Sequence, residues 1–317
     1  MKLAYLMYSS KKYDDIVPVV KELVKQDDHV FIMVNNNKER DEVTVAFGNN
    51  RNVHVSRKLE FAQEGDLSLA RGTLLQMIDA FENEEEFDYF INLTEGMLPL
   101  KPRQEIVDYL ENNPIDHYYI DRSEKDDPQL RKKVEKYYPY TNVIGFDKSK
   151  YVRTRTKVVS AFLDFIHVRR KLDDEIYIGS PWFILTKETA SVLKDDFAYC
   201  SDKFKLSWYA EEMTYIMMIN KFKPDNEHIN KDMRVVGPSG TWQESQGARK
   251  LTKELIEAHP EALFGGTVFE EDDEELYKEI LPLYNKDYVP IKKEDVRDIS
   301  SEDFNEMVDK IKRDKDE

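Results

Sequence analysis

Four apolar runs separated by helical patterns limit what this chain can fold into. Lys2–Tyr8, His29–Val34, Phe87–Leu93 and His117–Ile120 each read as a buried strand, and the shorter Val53–Val55 adds another. Between them, Tyr13–Lys25 carries Ile16, Val19, Val20, Leu23 and Val24 on one helical face. Leu67–Phe81, with Leu69, Leu74, Met77, Ile78 and Phe81, and Arg103–Asn112 have the same period. Strands that alternate with helices in this way build a mostly parallel sheet flanked by helices, so the expected fold class is α/β. Such sheets bind ligands beyond the carboxyl ends of their strands. That rule groups Tyr8–Ser10, Asn35–Asn37 and Thr94–Met97 around one crevice.

Beyond Asp121 the pattern changes. Ser123–Lys136 is charged and turn-like, and Tyr137-Tyr138-Pro139-Tyr140 is an irregular aromatic cluster. Lys157–Leu172 reads as a helix with Val158, Val159, Phe162, Phe165 and Ile166 on its apolar face. Its end carries Arg169, Arg170 and Lys171, where cations suit the helix dipole. Ile176–Leu185 is hairpin-like, helices follow near Lys187–Asp195 and Ala210–Asn220, and Arg234–Arg249 is a loop. The expected division is a principal domain over 1–270 and a mixed-charge appendage over 271–317, with a terminal helix at Glu302–Lys312.

Composition narrows the function classes. A chain of 317 residues, 40% hydrophobic and 12% aromatic, can bury a substantial core. Forty-seven basic against 63 acidic residues leave −16, which argues against nucleic acid as a partner. The single cysteine, Cys200, permits no internal disulfide, so an oxidising compartment is not expected. No window approaches the ~18 apolar residues of a membrane span, and the first apolar run is too short for a signal segment. A cytoplasmic protein is expected, and homo-oligomerisation is left open.

Two stretches concentrate the chemistry. Glu211 and Glu212 open an apolar helix, where carboxylates favour the dipole by up to about 1 kcal/mol. The same position suits a general base that takes a proton from an attacking hydroxyl. Upstream, Gly179-Ser180-Pro181-Trp182-Phe183 reads as a strand turn. Gly179 would permit close backbone approach, Trp182 could offer its face to a sugar ring, and Phe183 fits the core.

These stretches resemble the core-2/I-branching glycosyltransferases, family 14, over roughly residues 1–270. The resemblance is strongest at Phe87–Lys101, Ile176–Leu193 and Ala210–Asn220. It implies a GT-A-type, Rossmann-like nucleotide-sugar-binding fold and an inverting transfer from a UDP-sugar, most plainly UDP-N-acetylglucosamine, to a glycan or glycosylated-protein hydroxyl. UDP-glucose and UDP-xylose stay open as donors. The absence of a membrane anchor and of paired cysteines makes the chain look like a bacterial relative. Glu212 falls on the base position and Glu211 on the acidic residue before it. Arg249, in Gly247-Ala248-Arg249-Lys250, falls on the diphosphate-binding arginine, with Lys250 and Lys253 beside it. Tyr8, Ser9, Asn35, Asn36, Arg57, Gly179 and Ser180 are implied to line the donor site. Glu95, Lys101, Trp182, Glu211 and Trp242 are implied to line the acceptor site.

The family works without a metal, and the strand end at Thr94 likewise lacks Asp-x-Asp, so neither metal nor cofactor is expected. The chain departs from the family pattern at Glu95 and Met97, where Gly and Asp are usual, and near Thr267, where a second cation is usual. Those departures leave room for a non-catalytic nucleotide-sugar- or glycan-binding module on the same fold. A dinucleotide enzyme is disfavoured, because Tyr8-Ser9-Ser10-Lys11 follows the first strand in place of Gly-x-Gly-x-x-Gly.

Overall fold

The computed structural model describes residues 1–9, 13–48, 50–61, 66–139, 150–207, 210–235 and 251–288. The strands are β1 (Leu3–Ser9), β2 (His29–Val34), β3 (Val53–Val55), β4 (Tyr89–Thr94), β5 (Leu98–Pro99) and β6 (Asp116–Ser123). They continue with β7 (Tyr177–Thr186), β8 (His228–Ile229), β9 (Arg234–Val235) and β10 (Phe264–Gly265). The helices are α1 (Tyr13–Leu23), α2 (Asn37–Phe47), α3 (Leu67–Phe81), α4 (Arg103–Asn112), α5 (Leu130–Val134) and α6 (Lys150–Phe165). After them come α7 (Lys187–Asp195), α8 (Phe197–Lys203), α9 (Ala210–Phe222), α10 (Lys253–Ala258) and α11 (Glu274–Ile280).

The main sheet has the order β3-β2-β1-β4-β7-β6-β8. Parallel pairing joins β3, β2, β1 and β4, whereas β7 runs antiparallel to both β4 and β6. A smaller sheet, β5-β10-β9, lies apart from it in pairing. Side chains along β1 alternate between two cores, as the two-residue strand period requires. Leu3, Tyr5 and Met7 pack with Ile16, Val20, Ile106 and Phe264. Ala4 and Leu6 belong to the other core, with Leu74 and Met77 of α3 and Met213 and Ile216 of α9.

The structure changes four expectations. The Ile176–Leu185 segment, read as hairpin-like with a turn at Gly179–Phe183, is one continuous strand, β7. A helix, α2, follows β2 directly: the Asn-rich run is its start, and the Asn36 side chain caps it by accepting from Glu39 N at 3.0 Å. The helix expected over 157–172 instead begins at Lys150 and ends at Phe165. His167 has a left-handed φ of 60°, so Arg169, Arg170 and Lys171 lie outside the helix and do not complement its dipole. The compact unit runs through Asn285, so the expected boundary at 270 falls inside it. The expected terminal helix at 302–312 lies outside the described residues.

The extension past 270 has a buried polar cause. Tyr284 hydroxyl meets Tyr5 hydroxyl at 2.8 Å and donates to Asp28, which Arg103 grips through Nε at 2.6 Å and Nη2 at 2.8 Å. Leu3 N also donates to Asp28 at 3.1 Å. The cluster closes the amino end of the sheet and leaves the carboxyl end to the site.

Candidate functional site

The order of the parallel strands reverses at β1, and in sheets of this kind the ligand crevice lies beyond the carboxyl ends of the strands at that point, here β1, β2 and β4. Tyr8, near the end of β1, lies within hydrogen-bonding reach of Asn35 Oδ1 and of the Glu60 carbonyl at 2.7 Å. Arg71 grips the Glu60 carboxylate, through Nε at 2.9 Å, which raises the arginine pKa further. Helix α3 approaches this corner at Gly72, where a Cβ would stand 3.2 Å from Met33 Sδ and 3.4 Å from the Tyr8 ring. Four of the expected donor residues therefore gather here: Tyr8, the buried Ser9, Asn35 and Asn36. The Asn36 carbonyl oxygen is occupied as a helix cap. Arg57 stands exposed past the end of β3, two strands out from β1.

At the same end of the sheet, β4 and β7 part company. Their pairing register ends at Ile91 with Ile184. Beyond that point the Asn92 side chain takes over, donating to the Pro181 carbonyl at 2.8 Å and accepting from Phe183 N at 2.8 Å. Arg234 of β9 donates from Nη2 to the Asn92 and Phe183 carbonyls, each at 2.9 Å. Burial pushes the Arg234 pKa down to about 10, against the pull of nearby Asp232. Burial likewise raises the Asp232 carboxyl, with Arg234 and a Ser180 hydrogen bond opposing that rise. Asn92, Asp232 and Arg234 were invisible as a unit in the sequence: one sits inside a strand, and the other two flank Met233, whose φ of 57° turns the chain between them. Charged residues bracketing a turn-former were the available signal.

Glu211 and Glu212 lie in the first turn of α9, and both are buried. The helix direction follows from its other end. Lys223, just past α9, donates to Thr189 Oγ1 at 2.9 Å, and Thr189 donates to Asp116 at the start of β6. The carboxylates therefore occupy the crevice end of α9. The approach to that helix is fixed by Arg170, which is buried and donates to the carbonyls of Lys203 and Lys205 and to Ser207 Oγ. Burial pushes the Arg170 pKa down to about 10. Tyr138 N donates to the Leu206 carbonyl at 2.8 Å, so the aromatic cluster also braces this approach. A cavity of about 520 Å³ opens beside it, lined by Arg122, Lys133, Lys136, Tyr138 and Lys157 together with Ile178 of β7.

Several expected site residues do other work. Gly179 does allow a close approach, but the neighbours are internal. A Cβ there would lie 1.9 Å from the Tyr119 carbonyl oxygen and 2.7 Å from Ile216 Cδ1. Ser180 Oγ accepts from Trp182 N at 3.2 Å and bonds Asp232, inside β7 where its register with β6 shifts. Trp182 is a core residue, 4% exposed, with no open face for a sugar. Lys101 pairs with Glu105 at 3.1 Å, ahead of a helix that Arg103 pins to Asp28 and the Met1 carbonyl at the amino end of the sheet. Lys253 pairs with Glu279 at 3.4 Å on the surface. Arg249, Lys250 and Trp242 lie outside the described residues.

The Thr94–Met97 loop is a tight turn, closed by Met97 N donating to the Thr94 carbonyl at 3.1 Å. Gly96 takes φ 76° there, as its turn position requires, and Phe269 packs where its side chain would be. Met97 is buried in the core, which explains an apolar residue where an acid was the alternative. Glu95, at the turn's second position, is partly exposed at the crevice. Among the described residues no three His, Cys, Asp or Glu stand together as a metal-ligand set. No helix among them is long and apolar enough to cross a membrane.

The seven-stranded, mostly parallel sheet flanked by helices is a GT-A-like fold, with the two buried carboxylates at one end of α9. No match is found among curated proteins. The family model for the core-2/I-branching enzyme matches residues 3–259. The chain belongs to the core-2/I-branching family of glycosyltransferases, enzymes that use a nucleotide-sugar donor and a glycan acceptor.

Proposed function

We propose that this enzyme transfers N-acetylglucosamine from UDP-N-acetylglucosamine to a hydroxyl of a glycan or glycosylated-protein acceptor, with inversion to a β-glycoside. The observation that carries the reading is the pair of buried carboxylates, Glu211 and Glu212, at the crevice end of α9. Glu212 accepts the proton of the attacking hydroxyl, a contribution on the order of 10²–10⁴-fold from a positioned base. Glu211, together with Glu95 on its tight turn, holds acceptor hydroxyls. Tyr8, Ser9 and Asn35 form the nucleotide end of the crevice. Arg249, with Lys250, neutralises the departing diphosphate in place of a metal, since a cation aimed at developing charge does the same electrostatic work.

Donor choice is tested by thermal denaturation of the purified protein with UDP-N-acetylglucosamine, UDP-glucose and UDP-xylose, each with EDTA and then with Mn²⁺. A ligand bound only by the folded state at about 100 times its Kd adds about 2.7 kcal/mol of stability. UDP-N-acetylglucosamine is expected to raise Tm most, and equally with EDTA. A larger shift with UDP-glucose or UDP-xylose would replace the donor assignment. Dependence on Mn²⁺ would overturn the metal-free reading.

A further inference from the structure

On helix α6, Thr156 and Ser160 are buried at 4% and 3% exposure. Val158, Phe162 and Phe165 face solvent at 62%, 59% and 80%. At about 100° per residue these three fall within roughly 60° of one another, forming a single stripe. The stripe continues past the helix end into Ile166 and Val168, which are 46% and 42% exposed. Large apolar side chains scattered singly over a surface need no explanation, but a contiguous stripe does.

The charges on the helix point to what covers the stripe. Within its 16 residues stand Lys150, Arg153, Arg155 and Lys157 against the single acid Asp164. Asp164 is already engaged by Lys136 at 2.9 Å and by Arg169. Lys171 adds another exposed cation just beyond. This basic, apolar-faced element belongs to a chain whose net charge is −16. A soluble partner that fills the stripe needs only apolar complementarity. An anionic bilayer supplies both an apolar layer for the phenylalanines and headgroup phosphates for the cations.

We propose that α6 is an in-plane membrane-docking helix, which seats the enzyme on an anionic lipid surface with Val158, Phe162 and Phe165 in the acyl boundary. Ser160, on its inward side, lines the cavity beside the approach to α9, which the exposed Lys157 also borders.

The test is flotation of the full chain with vesicles containing about 30 mol% phosphatidylglycerol in phosphatidylcholine, against pure phosphatidylcholine. The protein is expected to float with the anionic vesicles alone, and to be released at about 0.5 M salt, where the Debye length falls to a few Å. Phe162→Ser with Phe165→Ser, and separately Arg155→Glu with Lys157→Glu, should each cut partitioning at least about tenfold with little change in Tm. Absence of flotation overturns the proposal, as does flotation insensitive to the phenylalanine changes or to headgroup charge. A dimer in size-exclusion chromatography that is lost in the Phe162/Phe165 variant, with no vesicle binding, would assign the face to a second copy of the chain instead.

Discussion

At the scale of single residues, the site is supported by one guanidinium placed where two strands separate. Arg234 satisfies the Asn92 and Phe183 carbonyls in the gap that β7 leaves beside β4. Removing it strands buried acceptors and leaves Asp232 without its cation. Arg234→Met is expected to cost about 3 kcal/mol of stability, measured by urea denaturation, because hydrogen bonds from a charged donor are lost inside the protein. A loss below about 1 kcal/mol would mean that the gap closes on its own. The sequence showed why Gly179 must be glycine but not what approaches it. Close approach is legible from a glycine inside an apolar run, whereas the identity of the neighbour depends on where the β6 bulge and Ile216 come to rest. Trp182 shows the same limit: an aromatic on a strand has two faces of the sheet to choose from, and the residue type does not choose.

At the scale of elements, the parallel strands and their helices were readable because an apolar run has few other solutions than a doubly covered strand. Helix α2 was not, since three asparagines suit a turn as well as a helix cap. Strands β8, β9 and β10 are two residues each, too short to leave a period. Helix α6 was legible as a helix but not in orientation, because its apolar face predicts packing that the fold does not supply. A pH-sensitive element sits at the opposite edge of the main sheet. His54 of β3 stacks on Phe31 at 4.5 Å and on His29 at 5.1 Å. Burial, followed by the His29 charge, pushes its pKa down from 6.5 to about 4. The unfolded chain therefore binds more protons between those two values, so stability falls as pH drops from about 6.5 toward 4. Tm is expected to decline through that window, and His54→Phe should flatten the decline. An unchanged slope in the variant would assign the acid sensitivity to other groups.

At the scale of the whole molecule, the compact unit is closed by residues that the sequence placed in an appendage. Tyr284 reaches Asp28 and Tyr5 across more than 250 positions of chain. No local pattern announces such a bond. Tyr284→Phe is expected to lower stability by about 2 kcal/mol while leaving donor affinity within about twofold, since it lies at the end of the sheet away from the crevice. A larger effect on donor affinity than on Tm would contradict that separation of framework and site.

The central claim is that Glu212 is the base of a glycosyl transfer. It is tested by turnover of Glu212→Gln under saturating UDP-N-acetylglucosamine and acceptor, with donor affinity measured in parallel. The amide keeps the shape of the buried side chain but cannot accept the proton. Turnover is expected to fall by at least about 10²-fold with donor affinity nearly unchanged. Retention of more than about half of wild-type turnover would contradict the account.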